Sequence, residues 1–154
     1  MTRVYRILRA PYADNPLDGE GAYRFGGRWS SRGTRLAYTA GHLSLAMIEY
    51  FVHIDADDPP RGLVVAAVDV PDHISRVSIA VNESPENWRR IPAPASLAAV
   101  GDAFLADRKA AILIAPSALA PSESNWLINP LHPDFGDIRV QPPEPFHYDA
   151  RFFR

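Results

Sequence analysis

Apolar residues fall in short blocks along the chain, and the spacing within these blocks predicts strands and helices in mixed order. Gly62–Val70 is apolar at nearly every position, which predicts a central strand covered on both faces. Further blocks rich in β-branched, apolar or aromatic residues predict strands at Arg3–Arg9, Leu36–Tyr38, Ile74–Ala80, Ala110–Ile114, Ile138–Val140 and Phe146–Tyr148.

Apolar residues with a period near 3.6 predict two helices. The first runs from Ala40 to His53, with Thr39 as its N-cap, and the second covers Ser96–Asp107, with Ser96 as its cap. Loops are expected at Asp14–Gly21, at Asn82–Pro94 and from Ser117 onward, where prolines and polar residues concentrate. This mixture, together with fifteen prolines, predicts an α+β fold rather than a helical bundle.

Composition narrows the class of protein. A chain of 154 residues without repeats or linkers predicts a single domain over residues 1–154. A net charge of −2 argues against an electrostatic nucleic-acid binder. With no cysteine, disulfides and thiol catalysis are excluded, and the histidines lack metal-ligand spacing, so no metal is expected. The N-terminus does not resemble a signal peptide, and no apolar run could span a bilayer, so we expect a cytoplasmic protein.

Glu49 is the residue in the first predicted helix whose chemistry stands out. It is the only charged residue between Leu43 and Val52, and a helical period places it on one stripe with Leu45 and Val52. A carboxylate drawn toward a core is paired, protonated or functional, and the nearby cations Arg24, Arg28, Arg32 and Arg35 are candidate partners. The alternative is a structural glutamate that reaches solvent.

Arg28 and Tyr38 are the next candidates. Arg28 follows two glycines, where the backbone can approach a ligand closely, and its planar guanidinium suits phosphate or carboxylate. It could equally be a surface arginine stacked on Trp29. Tyr38 could stack on a planar ring or donate its hydroxyl, or it could be an ordinary core tyrosine.

Two blocks of this sequence resemble the RES-domain family, the toxins of bacterial toxin–antitoxin pairs. They are GGRWSSRGTRLAYTAGHLSLAMIEYFVH and APSALAPSESNWLINPLHPDF, and the resemblance extends from about Arg6 to Phe135. The family is named for an arginine, a glutamate and a serine, which here match Arg28, Glu49 and Ser117. Ser122 and Ser124 are alternative matches for the serine.

The resemblance implies a fold similar to that of ADP-ribosyltransferases, with a split mixed or antiparallel β-core, flanking helices and an NAD-binding cleft. It implies cleavage of the nicotinamide–ribose bond of NAD⁺, with Glu49, Arg28 and Ser117 as catalytic residues. Arg28, Tyr38, Tyr23 and Asn125 would bind the nucleotide. The implied partner is an Xre-type helix-turn-helix antitoxin that forms a hetero-oligomer with the toxin.

Three alternatives stay open at this point. The ADP-ribose could pass to water, to phosphate or to a protein side chain, and the last would make the chain an ADP-ribosyltransferase. The domain could also be a catalytically idle module that binds a nucleotide or a partner. A nucleic-acid-cleaving toxin is a distant third reading, because the chain lacks a basic stripe.

Overall fold

Eight strands form one mixed sheet in the computed structural model, which describes residues 1–154. In chain order they are β1 (Thr2–Arg9), β2 (Ala37–Ala40), β3 (Leu63–Val70), β4 (Arg76–Ser78), β5 (Ile112–Pro116), β6 (Ser124–Ile128), β7 (Arg139–Val140) and β8 (Glu144–Phe146). Across the sheet the order is β4-β5-β6-β2-β1-β3-β7, and β8 also pairs with β3. Only β4 and β5 run parallel.

Three α-helices flank this sheet: α1 (Glu20–Phe25), α2 (Leu43–Phe51) and α3 (Ala95–Asp107). Short 3₁₀ turns lie at Ala10–Tyr12, Val81–Glu83, Pro133–Asp137 and Ala150–Phe153. No helix has the length and apolar character that crossing a membrane requires. The α+β class predicted from the sequence is confirmed.

The sheet is split between β1 and β2. Whereas β1 pairs with β3 along its whole length, it pairs with β2 only where Tyr5 lies opposite Ala40. Beyond that point the Arg6 guanidinium donates to the Tyr38 carbonyl at 3.4 Å. The sheet therefore consists of two strand groups that open away from each other, as the predicted split core requires.

The two longer helices cover different halves of the same sheet face. Helix α2 packs on the β1–β3 half, in a cluster of Ile7, Ala40, Leu45, Ala46 and Leu63. Helix α3 packs on the β5–β6 half, in a cluster that includes Trp29, Leu97, Phe104, Leu113 and Leu127. The opposite face carries a third cluster around Val4, Val68, Ile112 and Ile128. Side chains between the two helices are therefore the ones placed to form a site.

Several predicted boundaries were wrong. Helix α2 begins at Leu43 rather than Ala40, because Thr39 belongs to β2 and its hydroxyl donates to the Trp126 carbonyl at 2.7 Å instead of capping a helix. Strand β6 lies in the stretch predicted to be irregular, where Ser124 and Asn125 hid its character. The six-residue helix α1 was missed because it is too short to show a period.

Candidate active site

Glu49 and Ser117 meet at the edge of α2. The Ser117 hydroxyl donates to Glu49 Oε1 at 2.6 Å, although 68 positions separate the two residues in the chain. Ser117 is fully buried directly after β5, and Glu49 is half-buried on α2. Of the three serines that match the family motif, Ser117 is the one that contacts the glutamate.

The other hydrogen bonds of Ser117 fix the direction of its hydrogen bond to Glu49. Its oxygen accepts from the backbone N–H groups of Leu119 at 3.1 Å and Ala120 at 3.2 Å. A hydroxyl has two acceptor positions and one proton, so both lone pairs are occupied and the proton points to Glu49. Within the protein, Ser117 therefore uses its proton on Glu49 and both acceptor positions on backbone amides. The second carboxylate oxygen, Oε2, has no partner within the protein.

Arg28 is held by backbone carbonyls rather than by an acid. Its Nη1 donates to the carbonyls of Trp88 at 2.9 Å and Arg90 at 3.0 Å. These two bonds use both protons of Nη1, so the Nε–Nη2 edge has no protein partner. That edge is the one that binds phosphate or carboxylate in a bidentate manner. The alternative, a surface arginine stacked on Trp29, is not seen, because the cation–π contacts join Arg35 to Tyr23 and Arg76 to Trp126.

Tyr38 fixes the loop that carries Arg28. Its hydroxyl accepts from the Trp29 N–H at 3.0 Å and shares a 2.8 Å hydrogen bond with Ser30. Gly27 makes this approach possible, since a Cβ there would lie 2.4 Å from the Tyr38 oxygen. Burial raises the pKa of Tyr38, which keeps the phenol protonated. The hydroxyl is thus occupied within the protein, so a ligand contact of Tyr38 would have to use its ring.

The other cations near Glu49 in sequence do not pair with it. Arg24 and Arg35 both bind Glu20, at 2.7 and 2.8 Å, and Arg35 also lies 4.8 Å from the centre of the Tyr23 ring. Glu49 forms no ion pair. The expectation that arginines neutralise Glu49 was therefore wrong, and a serine hydroxyl is its partner instead.

Asn125 lies on the same sheet face as Tyr38. Antiparallel pairing places Asn125 opposite Ala40 and Leu127 opposite Tyr38, so these four side chains share one face of the sheet. The Asn125 amide makes one long hydrogen bond, 3.4 Å from its nitrogen to the Thr39 carbonyl. Its oxygen therefore remains available at the boundary between the α2 and α3 halves.

Sequence reasoning did not identify the segment that holds Arg28. Trp88 and Arg90 act through main-chain carbonyls, which leave no signature in residue type. The segment was predicted to be a plain loop, and only the tertiary structure brings it to the glycine-rich turn at Gly26–Arg28.

Comparison with known proteins assigns the chain to a family. A family model described as RES domain matches residues 3–149. A protein named Toxin Res from Yersinia enterocolitica is 34% identical over 150 residues, covering 96% of this chain and 97% of that protein. A protein named Prs ADP-ribosylating toxin from a Sphingobium species is 32% identical, covering 93% and 90%. The chain therefore belongs to the RES-domain family.

The fold agrees with this assignment. A chain in a crystal structure of the M. tuberculosis MbcT–MbcA toxin–antitoxin complex superposes with a TM-score of 0.75 at 20% identity. The alignment covers 93% of this chain and 82% of that one. The split sheet and its flanking helices are thus shared with a solved protein.

Proposed function

We propose that this chain cleaves the nicotinamide–ribose bond of NAD⁺ and so inhibits growth. The observation that carries the proposal is the Glu49 carboxylate, held through Oε1 by a buried serine and free at Oε2. The name of the Sphingobium relative, an ADP-ribosylating toxin, supports a substrate that contains ADP-ribose.

The chemistry suits an oriented carboxylate. When the bond between C1′ of the ribose and the nicotinamide nitrogen breaks, its electron pair moves to the nitrogen and neutralises the pyridinium ring. Positive charge then develops on the ribose, and a fixed carboxylate stabilises it. Because the leaving group departs neutral, no general acid is required. The Glu49 Oε2 atom is assigned this role, either directly or through the ribose hydroxyls.

The remaining candidates are proposed to bind the nucleotide. The free Nε–Nη2 edge of Arg28 would hold the diphosphate, and the Tyr38 ring would stack on the nicotinamide. Tyr23, 45% exposed on α1, offers a second ring, and Asn125 offers an amide oxygen to a hydroxyl or carboxamide donor. In this proposal Ser117 acts on Glu49 and not on the substrate.

The proposed partner is an antitoxin of the Xre-type helix-turn-helix class, which would block the site and form a hetero-oligomer with this chain. The solved neighbour comes from a toxin–antitoxin complex, which supports an antitoxin as the partner. We place both proteins in the cytoplasm, where NAD⁺ is available.

The acceptor of the ADP-ribose defines two versions of the activity. Transfer to water or phosphate would deplete NAD⁺, whereas transfer to a protein would modify a target, and the name of the Sphingobium relative favours the second version. Purified protein incubated with NAD⁺, with and without phosphate, separates them by mass spectrometry. Free ADP-ribose, phosphorylated ADP-ribose and a modified protein have different masses. Tight binding of NAD⁺ without nicotinamide release would instead indicate an idle binding module.

A further inference from the structure

The segment Trp88–Arg90 hydrogen-bonds to both groups of candidate residues. On one side its carbonyls accept from Arg28. On the other side Arg89 Nε donates to the Ala118 carbonyl at 2.9 Å. Ala118 belongs to the turn that wraps around the Ser117 hydroxyl, which in turn holds Glu49. A continuous chain of contacts therefore joins Arg28 to Glu49, and Arg89 supplies the side-chain hydrogen bond between the Trp88–Arg90 segment and the Ser117 turn.

The Trp88–Arg90 segment is itself held in place by core packing and backbone hydrogen bonds. Trp88 is 6% exposed and packs in the α3 cluster, and the N–H groups of Trp88 and Arg90 donate to the carbonyls of Pro85 and Asn87. The Arg89 side chain, by contrast, lies at the surface and forms no ion pair. Its one hydrogen bond within the protein is therefore the contact to Ala118.

We propose that Arg89 is a positioning residue that fixes the separation between Arg28 and Glu49 by tying the Trp88–Arg90 segment to the Ser117 turn. The inference rests on the proposed function, since the separation matters only if both residues act on one substrate. Besides this hydrogen bond, the two segments share the packing of Trp88 and Ala118 in one hydrophobic cluster, which carries no directional constraint.

The competing account is that Arg89 acts through its charge. Arg90 is also exposed and has no acidic partner, so both side chains could attract an anionic nucleotide equally. The two accounts differ in what they predict for the neighbouring arginine and for a lysine at position 89.

Nicotinamide release should be measured for wild type, Arg89→Ala, Arg89→Lys, Arg90→Ala and the distant surface variant Arg61→Ala. For Arg89→Ala we expect kcat/KM to fall about tenfold, the effect of losing one hydrogen bond from a charged donor. Arg89→Lys should recover part of the loss, because an ammonium can reach the same carbonyl. Arg90→Ala should lose less than Arg89→Ala, and Arg61→Ala should match wild type. Equal losses for Arg89→Ala and Arg90→Ala would overturn the inference in favour of charge.

A double mutant tests whether Arg89 acts through Arg28. If it does, Arg28→Ala/Arg89→Ala should have nearly the same kcat/KM as Arg28→Ala alone, whereas independent effects would multiply and would contradict the proposal.

Hydrogen exchange of the same variants gives a readout that needs no activity. In Arg89→Ala, amides in residues 85–92 and 117–120 should exchange faster than in wild type. Unchanged exchange rates would contradict the proposal that Arg89 ties the two segments together. If wild type releases no nicotinamide, the proposed function fails, and exchange still decides whether the tie exists. If wild type is active and Arg89→Ala equals it, only the present inference fails.

Discussion

At the scale of single residues, the site depends on how one carboxylate is held. Ser117 uses its proton on Glu49 and both lone pairs on backbone amides, and in the proposed function it orients Glu49 rather than binding the substrate. The serine hydroxyl is uncharged, so it orients the carboxylate without placing a positive charge beside it. An arginine partner would place one there.

Replacing Ser117 by alanine tests this arrangement. Ser117→Ala removes the bond to Glu49 and takes the acceptor away from two partly buried backbone amides, so we expect a stability loss of about 1–3 kcal/mol. We also expect nicotinamide release to fall about tenfold or more, because Glu49 loses its fixed orientation. Thermal melts and initial rates measure the two effects.

Ser122→Ala is the matched control for that variant, since Ser122 is exposed and forms no side-chain hydrogen bond. It should resemble wild type in both measurements. Full activity of Ser117→Ala, or an equal loss in Ser122→Ala, would contradict the role given to Ser117.

At the scale of elements, α3 holds the glycine-rich loop in place from outside. A Cβ at Gly101 would lie 1.6 Å from the Trp29 carbonyl oxygen, so the helix contacts the loop backbone directly at this position. One position further on, Asp102 accepts from the backbone N–H of Ser31 at 2.9 Å and also binds its hydroxyl. Helix α3 therefore sets the position of Arg28, as α2 sets that of Glu49.

Gly101→Ala should separate α3 from this loop. The added methyl forces the helix or the loop to move, which we expect to cost about 1–3 kcal/mol of stability and to raise the KM for NAD⁺ by displacing Arg28. Calorimetry and steady-state kinetics give both numbers. Gly21→Ala is the control, because it is also a helical glycine but has no neighbour within 4 Å; it should keep or slightly raise the melting temperature. If Gly101→Ala has the wild-type melting temperature and the wild-type KM for NAD⁺, the close contact between α3 and the loop does not position Arg28.

The sequence reveals these elements unevenly. The strand at Leu63–Val70 was found because it is apolar at nearly every position, and the helix around Glu49 because its apolar residues repeat with a helical period. Strand β6 was missed because Ser124 and Asn125, the first two of its five residues, are polar, so its apolar pattern is too short to recognise. Sequence patterns identified Arg28 and Glu49 as candidate residues. Their partners, main-chain carbonyls for Arg28 and a serine for Glu49, depend on tertiary contacts that no local pattern encodes.

At the scale of the whole molecule, an ion pair connects the long strands. Arg3 on β1 donates to both oxygens of Asp69 on β3, at 2.7 and 3.0 Å, and Gln141 after β7 donates to the same carboxylate at 2.7 Å. The hydrogen bonds from Arg3 and then Gln141 hold the pKa of Asp69 below its ordinary value of 3.8. The Asp69 carboxylate thus connects β3, which supports α2, to β1 and to the segment after β7.

This pKa shift predicts a loss of stability in acid. A carboxyl whose pKa is lowered by folding stabilises the protein above its unfolded pKa, and that stabilisation disappears as the pH falls through the folded pKa. Asp69→Asn should therefore melt at a lower temperature than wild type at pH 7, and the difference should shrink below about pH 4. Thermal melts between pH 7 and pH 3 test this, and a difference that stays constant with pH would contradict it.

The most direct test of the account is the rate of nicotinamide release by Glu49→Gln. The amide keeps the size of the side chain but removes the charge, so we expect a fall of about a hundredfold or more with little change in melting temperature. Glu144→Gln makes the same change on an exposed edge strand and should release nicotinamide at the wild-type rate. A Glu49→Gln protein that releases nicotinamide as fast as wild type would contradict the central claim that the Glu49 carboxylate stabilises the ribose cation.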